Sequence, residues 1–340
     1  MIDWLTRAIG PLILTVGLIP LLPEQGSAQS TGSPTVFRVA TASKSGTFYP
    51  IGSLIAKGIT TTGECTDRPE CGVTGLIAVA QVSNGSVANV QAVSGQAIES
   101  GLAQADVIYW AYASKGRFVG TDPMTDLRAV ANLYPGSLHI VTSAGSGIRS
   151  VVDLRGKRVA LDEPGSGTLA TAEVILASAG LSKAEIQPLY IKHNHAWPML
   201  ARGELDAFFF VAGYPTGSVI EVSKTTDIRL VPLSGHIIAT LTAKHPYLAE
   251  GIIPAGVYPG VDRDVPTLNI GTQLIVHSNL DPDLVHAITA AMWSARTREL
   301  LDTGHPKGKQ VRLETALRGV AIPLHPGAER FYRETGTLKK

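Results

Sequence analysis

Three short stretches of the chain place glycine beside small hydroxyl residues where an extended run gives way to a helical pattern. They are Ser45-Gly46-Thr47-Phe48-Tyr49-Pro50, Asn84-Gly85-Ser86-Val87-Ala88-Asn89 and Pro164-Gly165-Ser166-Gly167-Thr168. The chemistry such turns offer is anion binding. A helix start leaves backbone N–H groups without intrahelical partners and carries the positive end of the macrodipole. Glycine lets a ligand approach the backbone closely, and hydroxyls add donors. One such turn is an ordinary helix cap. Three in one chain predict a cleft that grips a small anion without altering it.

Other residue groups invite catalysis or metal binding and do not complete a set. His193-Asn194-His195 follows a strand-like run, but no adjacent Asp, Glu or Cys turns the two histidines into a ligand cluster. Asp162-Glu163 resembles a pair of catalytic carboxylates and reads equally as loop and helix-start acids. There is no Gly-x-Ser-x-Gly elbow, no His-Glu-x-x-His and no phosphate loop ending in Gly-Lys-Ser/Thr. The two cysteines, Cys65 and Cys71, stand in a polar segment and read as a small disulfide loop, with free thiols as the alternative. No cofactor and no metal is expected.

The N-terminus and the charge balance agree with an exported, soluble chain. Arg7 precedes an apolar run from Ala8 to Leu22, and Gly26-Ser27-Ala28 supplies small residues for cleavage before Gln29, so residues 1–28 read as an export signal. An uncleaved membrane anchor is the alternative, although the run is shorter than the ~20 residues a bilayer span needs. The formal charge of +1 changes by a single unit when that leader is removed. No basic stripe interleaved with aromatics marks a nucleic-acid partner. Roughly 310 residues remain, more than one core comfortably serves, so two lobes are expected.

The elements that must position the glycine turns follow from periodicity. Val36 to Thr41 alternates like a strand, and Pro50 to Ile59 gathers Ile51, Leu54, Ile55 and Ile59 on one helical side. Gly75 to Val82 reads as a strand, a helix runs through Val90 and Val93, and Ala105 to Ile108 reads as a third strand. Leu127 to Leu133 and Leu138 to Thr142 read as strands around Tyr134-Pro135-Gly136. A second set follows: strand Arg158 to Leu161, helix Leu169 to Ala179, strand Ile186 to Ile191, helix Ala196 to Ala201 and strand Ala207 to Val211. Thr272 to Val276 adds a strand, Leu284 to Leu301 a long helix and Leu313 to Leu317 a short one. The fold class is α/β: two parallel-type lobes around a cleft, with extended hinge segments. Ligands of such sheets sit at the carboxyl ends of the strands, where the glycine turns fall.

Over nearly its whole mature length the chain resembles the TAXI branch of the periplasmic solute receptors that serve tripartite (TRAP) transporters. The carrying segments are the three glycine turns, Ser146 to Val159, Gly203-Glu204-Leu205-Asp206-Ala207-Phe208-Phe209-Phe210, Ile253 to Gly260 and Pro323 to Arg330. The resemblance implies a receptor, not an enzyme, that closes over a small carboxylate such as an acidic amino acid or dicarboxylate. It implies delivery to a TRAP permease in the membrane, and a monomer is the default expectation. It places ligand contacts at Ser45, Thr47, Tyr49, Ser86, Asn89, Gln104, Ser166, Gly167, Thr168 and Gly213, with Ala212 beside the last. Lys44 departs from the family's glycine-rich first turn and would add a cation; Tyr214 would narrow the pocket. Lobe I is expected over residues 36–132 and about 276–335, and lobe II over about 133–275. A ligand sensor for a membrane kinase and a periplasmic enzyme acting on a small carboxylic acid are the alternatives.

Overall fold

The computed structural model describes residues 34–62 and 68–339. The leader expected over residues 1–28 lies outside them, as does Cys65. Cys71 is buried and is not a free thiol.

The apolar segments build β-α-β units as their periodicity requires. Strand β1 (Thr35–Ala40) runs through the first glycine turn into helix α1 (Phe48–Ile59), whose Ile51, Ile55 and Ile59 are buried. Strand β2 (Leu76–Gln81), helix α2 (Ser86–Ser94), strand β3 (Ser100–Gln104) and helix α3 (Ala105–Ala113) follow, and β2, β1 and β3 lie parallel. The strand expected at Ala105 to Ile108 is therefore the first turn of α3, and the strand lies one step earlier. A four-residue apolar run has no periodicity that separates the two states. Asp106 in the first turn suits a helix start.

Strand β4 (Leu127–Ser143) is continuous through Tyr134-Pro135-Gly136, where two strands are expected. It changes partners close to that point. Residues 127–137 pair with the strand Val265–His277 and residues 137–142 with the strand Ala207–Ala212, so Pro135 falls near a switch of neighbours where a missing donor is tolerated. The second set is β5 (Arg158–Ala160), α4 (Gly167–Ser178), β6 (Gln187–Leu189), α5 (His193–Ala201) and β7 (Ala207–Ala212), with β6, β5 and β7 parallel. All six residues of β7 are buried, as in a strand covered on both faces. Helix α6 (Gly217–Thr225), strand β8 (Ile228–Leu230), helix α7 (Gly235–Lys244) and strand β9 (Leu248–Ile253) lead to β10 (Val265–His277).

Strand β10 mirrors β4. Its first half pairs with β9, its second half with β3, and residues 269–277 run antiparallel to β4. The resulting order β2-β1-β3-β10-β4-β7-β5-β6 sets a parallel unit on either side of the crossing pair β10–β4. This is the two-lobed periplasmic-binding-protein fold, with β4 and β10 as the extended segments that join the lobes. The carboxyl ends of both parallel sets meet across one cleft.

The long helix expected over Leu284 to Leu301 is two helices, α8 (Pro282–Met292) and α9 (Ala295–Gly304). Ser294 has extended dihedrals and its hydroxyl accepts the Thr297 N–H, so it ends one helix and caps the next. Leu313 to Leu317 forms only a tight turn over Leu313–Thr315. Helix α10 (Pro326–Glu334) packs Phe331 and Tyr332 into the core shared with β1, α1 and α8.

Candidate anion-binding site

Five helices begin at one cavity among the described residues. Thr47, Gly85, Gln104, Ser166 and Lys192 are the residues immediately before α1, α2, α3, α4 and α5, and all five line it. Each start carries a partial positive charge at the cavity. Glycine is required where the backbone turns in. Gly85 has φ +109°, in the left-handed region, and a Cβ on Gly167 would meet Gln104 Oε1 at 2.0 Å and Ser86 Oγ at 2.6 Å. The cavity measures about 50 Å³, room for a few water-sized groups, which limits an occupant to a small molecule.

The two lobes touch across this cavity. The Ala88 N–H on α2 donates to the Gly165 carbonyl at 3.0 Å. The Thr47 hydroxyl donates to the Gly213 carbonyl at 3.0 Å, and Ser43 Oγ lies 2.7 Å from His193 Nε2. Behind the cavity, Gln104 Nε2 donates to Thr171 Oγ1 at 3.0 Å, and that hydroxyl bonds the buried Asp106 carboxyl at 3.0 Å. Ser166 Oγ accepts the Leu169 N–H at 3.0 Å, and Thr168 Oγ1 accepts the Val211 N–H at 3.1 Å. The hydroxyls thus orient the helix starts as well as facing the cavity.

Fixed charge in the pocket is sparse. Lys192 pairs with Glu163 at 2.8 Å and reaches Asn84 Oδ1 at 3.3 Å. His193 is held well below the usual histidine range, at about 3, by burial and then by Lys192. Its other nitrogen meets Ser218 Oγ at 2.6 Å, and the ring stacks on Phe210 at 3.7 Å. That neutral imidazole between two hydroxyls has no orienting carboxylate, so Ser43–His193 lacks the third member of a nucleophile set. Burial pushes the Asp162 carboxyl up to about 7, with Glu163 adding to the shift. An oxyanion here would draw its stabilisation from backbone donors and hydroxyls.

Of the residues expected at the site, the cavity brings together Thr47, Ser86, Gln104, Ser166, Gly167 and Thr168. Lys44 is exposed, with its ammonium 5.6 Å from the centre of the Tyr49 ring, and neither lines the cavity. The Ser45 carbonyl instead accepts from the Thr216 hydroxyl at 3.4 Å, at the lip of the cleft. Gly213 lies behind the wall, where a Cβ would meet the Lys307 side chain at 2.6 Å. Lys307 is buried with its ammonium 3.9 Å from the centre of the Tyr214 ring, so Tyr214 serves this contact and is absent from the lining. Asn89 is buried in the scaffold, its amide nitrogen donating to the Thr41 and Leu102 carbonyls at 2.7 Å each. The sequence reading missed Ser43, Asn84, Asp162, Lys192, His193 and Phe210 as lining residues. The adjacency of Asp162-Glu163 to a glycine turn was the available signal.

The chain matches the NMT1-like family over residues 39–336 and belongs to that family. PhnD1 from Prochlorococcus marinus, solved in complex with methylphosphonate, is 10% identical. It aligns over 90% of this chain and 100% of its own, with a TM-score of 0.52. A protein from Bordetella bronchiseptica RB50 is 15% identical over 90% of both chains, with a TM-score of 0.52. The periplasmic aliphatic sulphonate binding protein SsuA from Escherichia coli is 17% identical over 90% of this chain and 84% of its own, with a TM-score of 0.45. These likenesses concern the fold. The expected TAXI membership, with delivery to a TRAP permease, is corrected: the family matched is NMT1-like. The motifs behind that resemblance include the helix-start turns that a two-lobed anion cleft requires, so they report architecture rather than the transporter served.

Proposed function

We propose that this chain is an exported solute-binding protein of a membrane transporter that captures a small organic oxyanion by closing its two lobes. The observation that carries the reading is the convergence of five helix starts on one small cavity at the lobe seam. Helix N-termini and hydroxyls bind carboxylate, sulfonate and phosphonate groups alike. A neighbour of the same fold holds methylphosphonate, which supports an oxyanion as the class. Charge-assisted hydrogen bonds of ~1.5–3 kcal/mol each suffice for micromolar binding when several act together. Closure excludes water and strengthens every one of them.

The test is a thermal-shift panel on full-length mature protein freed of copurified ligand by unfolding and refolding. The panel holds succinate, glutamate, 2-oxoglutarate, methanesulfonate, taurine and methylphosphonate. A true ligand at a hundred times its dissociation constant is expected to stabilise by about 2.7 kcal/mol, a shift of several degrees. Recovery of that ligand unchanged separates binding from catalysis. A flat response to every anion overturns the reading.

A further inference from the structure

A pocket built from positive helix ends also holds one buried acid without an ion-pair partner. Asp162 lines the cavity and is 6% exposed. Its backbone sits in the left-handed region, at φ +74°, and its Oδ1 accepts the Glu163 N–H at 2.8 Å. The hydroxyl of Thr168 on α4 favours its ionised form. The nearby cation Lys192 acts on it through space and makes its contacts elsewhere. Glu163 holds Lys192 at 2.8 Å, and Lys192 also reaches Asn84. His193 on α5 is neutral between Ser43 and Ser218. On the α3 side, Asp106 is bonded by Thr171 and by the Val107 N–H. Among the described residues no cation lies within ion-pair distance of Asp162.

An anion held in this cavity would share its lining with that carboxyl. Two negative charges in one dry site do not both persist. We propose that Asp162 is the neutral acid in the complex and donates its O–H in a hydrogen bond to the bound anion, so that capture by the ionised form takes up one proton from solvent onto Asp162. The pocket thereby selects anions without an ammonium group beside the acid, because an ammonium would pair with the ionised carboxylate and take up no proton. The proposal rests on the reading of the cavity as an anion site. The ligand-free carboxyl already titrates at about 7, so the uptake falls in the neutral to alkaline range.

Titration calorimetry of the ligand-stripped mature protein tests it, with succinate and methanesulfonate as separate probes, at pH 8 in buffers of different ionisation enthalpy. Wild type is expected to take up about one proton per anion, and its affinity to fall ~10-fold from pH 8 to pH 9. Asp162→Asn is expected to bind with no buffer dependence and no such fall. Binding without proton uptake in wild type, a measurement that needs no variant, overturns the proposal and leaves the anion site standing. Uptake that persists in Asp162→Asn also overturns it. Absence of binding by both probes and by every other anion of the thermal-shift panel removes the anion reading and the proposal together.

Discussion

Asn89 belongs to an anion-binding turn by sequence, yet its side chain serves the scaffold. Its amide donates to two carbonyls at 2.7 Å, and its oxygen accepts from the Ser83 hydroxyl at 2.6 Å, tying α2 to the ends of β1 and β3. Asn89→Asp would set a buried carboxylate against both carbonyl oxygens. Each mismatched group costs about 1–3 kcal/mol, so the ligand-free melting temperature is expected to fall by several degrees. An unchanged melting curve would contradict this placement. Thr168→Ala is the milder case: the Val211 N–H loses its acceptor, at about 1 kcal/mol, and anion binding weakens as well. Thr47, Ser86, Gln104, Ser166, Gly167 and Thr168 were legible because residue type and a following helix pattern identify a helix start locally. Lys192 and His193 were not, because their contacts with Asn84 and Ser43 of the other lobe are a long-range outcome of the fold, and Asp162 was signalled only by its place beside a glycine turn.

At the scale of elements, caps decide where helices stop. Ser294 splits what reads as one long apolar helix, since its hydroxyl serves the Thr297 N–H at 3.3 Å. Ser294→Ala is expected to cost about 1 kcal/mol and lower the melting temperature without changing anion affinity, read by thermal unfolding and calorimetry together. Altered affinity would mean that the α8–α9 junction communicates with the cleft. The parallel units were legible from alternating strand and helix periods. The β3–α3 boundary was not: Gln104 ends one and precedes the other, and Ala105 to Ile108 carries no period of its own. Nor was the continuity of β4, because Tyr134-Pro135-Gly136 reads as a turn until β10 supplies a partner on one side.

For the whole molecule, the proposed capture of an anion depends on closure of the seam. Gly167 is where the lobes approach most tightly at the cavity, and a Cβ there would collide with Gln104 and Ser86 from the facing lobe. Gly167→Ala is expected to weaken anion binding at least tenfold, measured by calorimetry. Wild-type affinity in that variant would place the ligand outside the seam. The fold itself admits a simple division of labour, with β4 and β10 spanning both lobes while the parallel units carry the helix starts.

The most direct measurement is a crystal structure of the mature protein bound to whichever anion gives the largest thermal shift. The ligand's acidic group is expected within hydrogen-bond distance of the starts of α2 and α4, between Thr47, Ser86 and Thr168. An anion bound instead in the surface groove of Arg149, Arg229 and Arg263, with the seam cavity empty, would contradict the site described here.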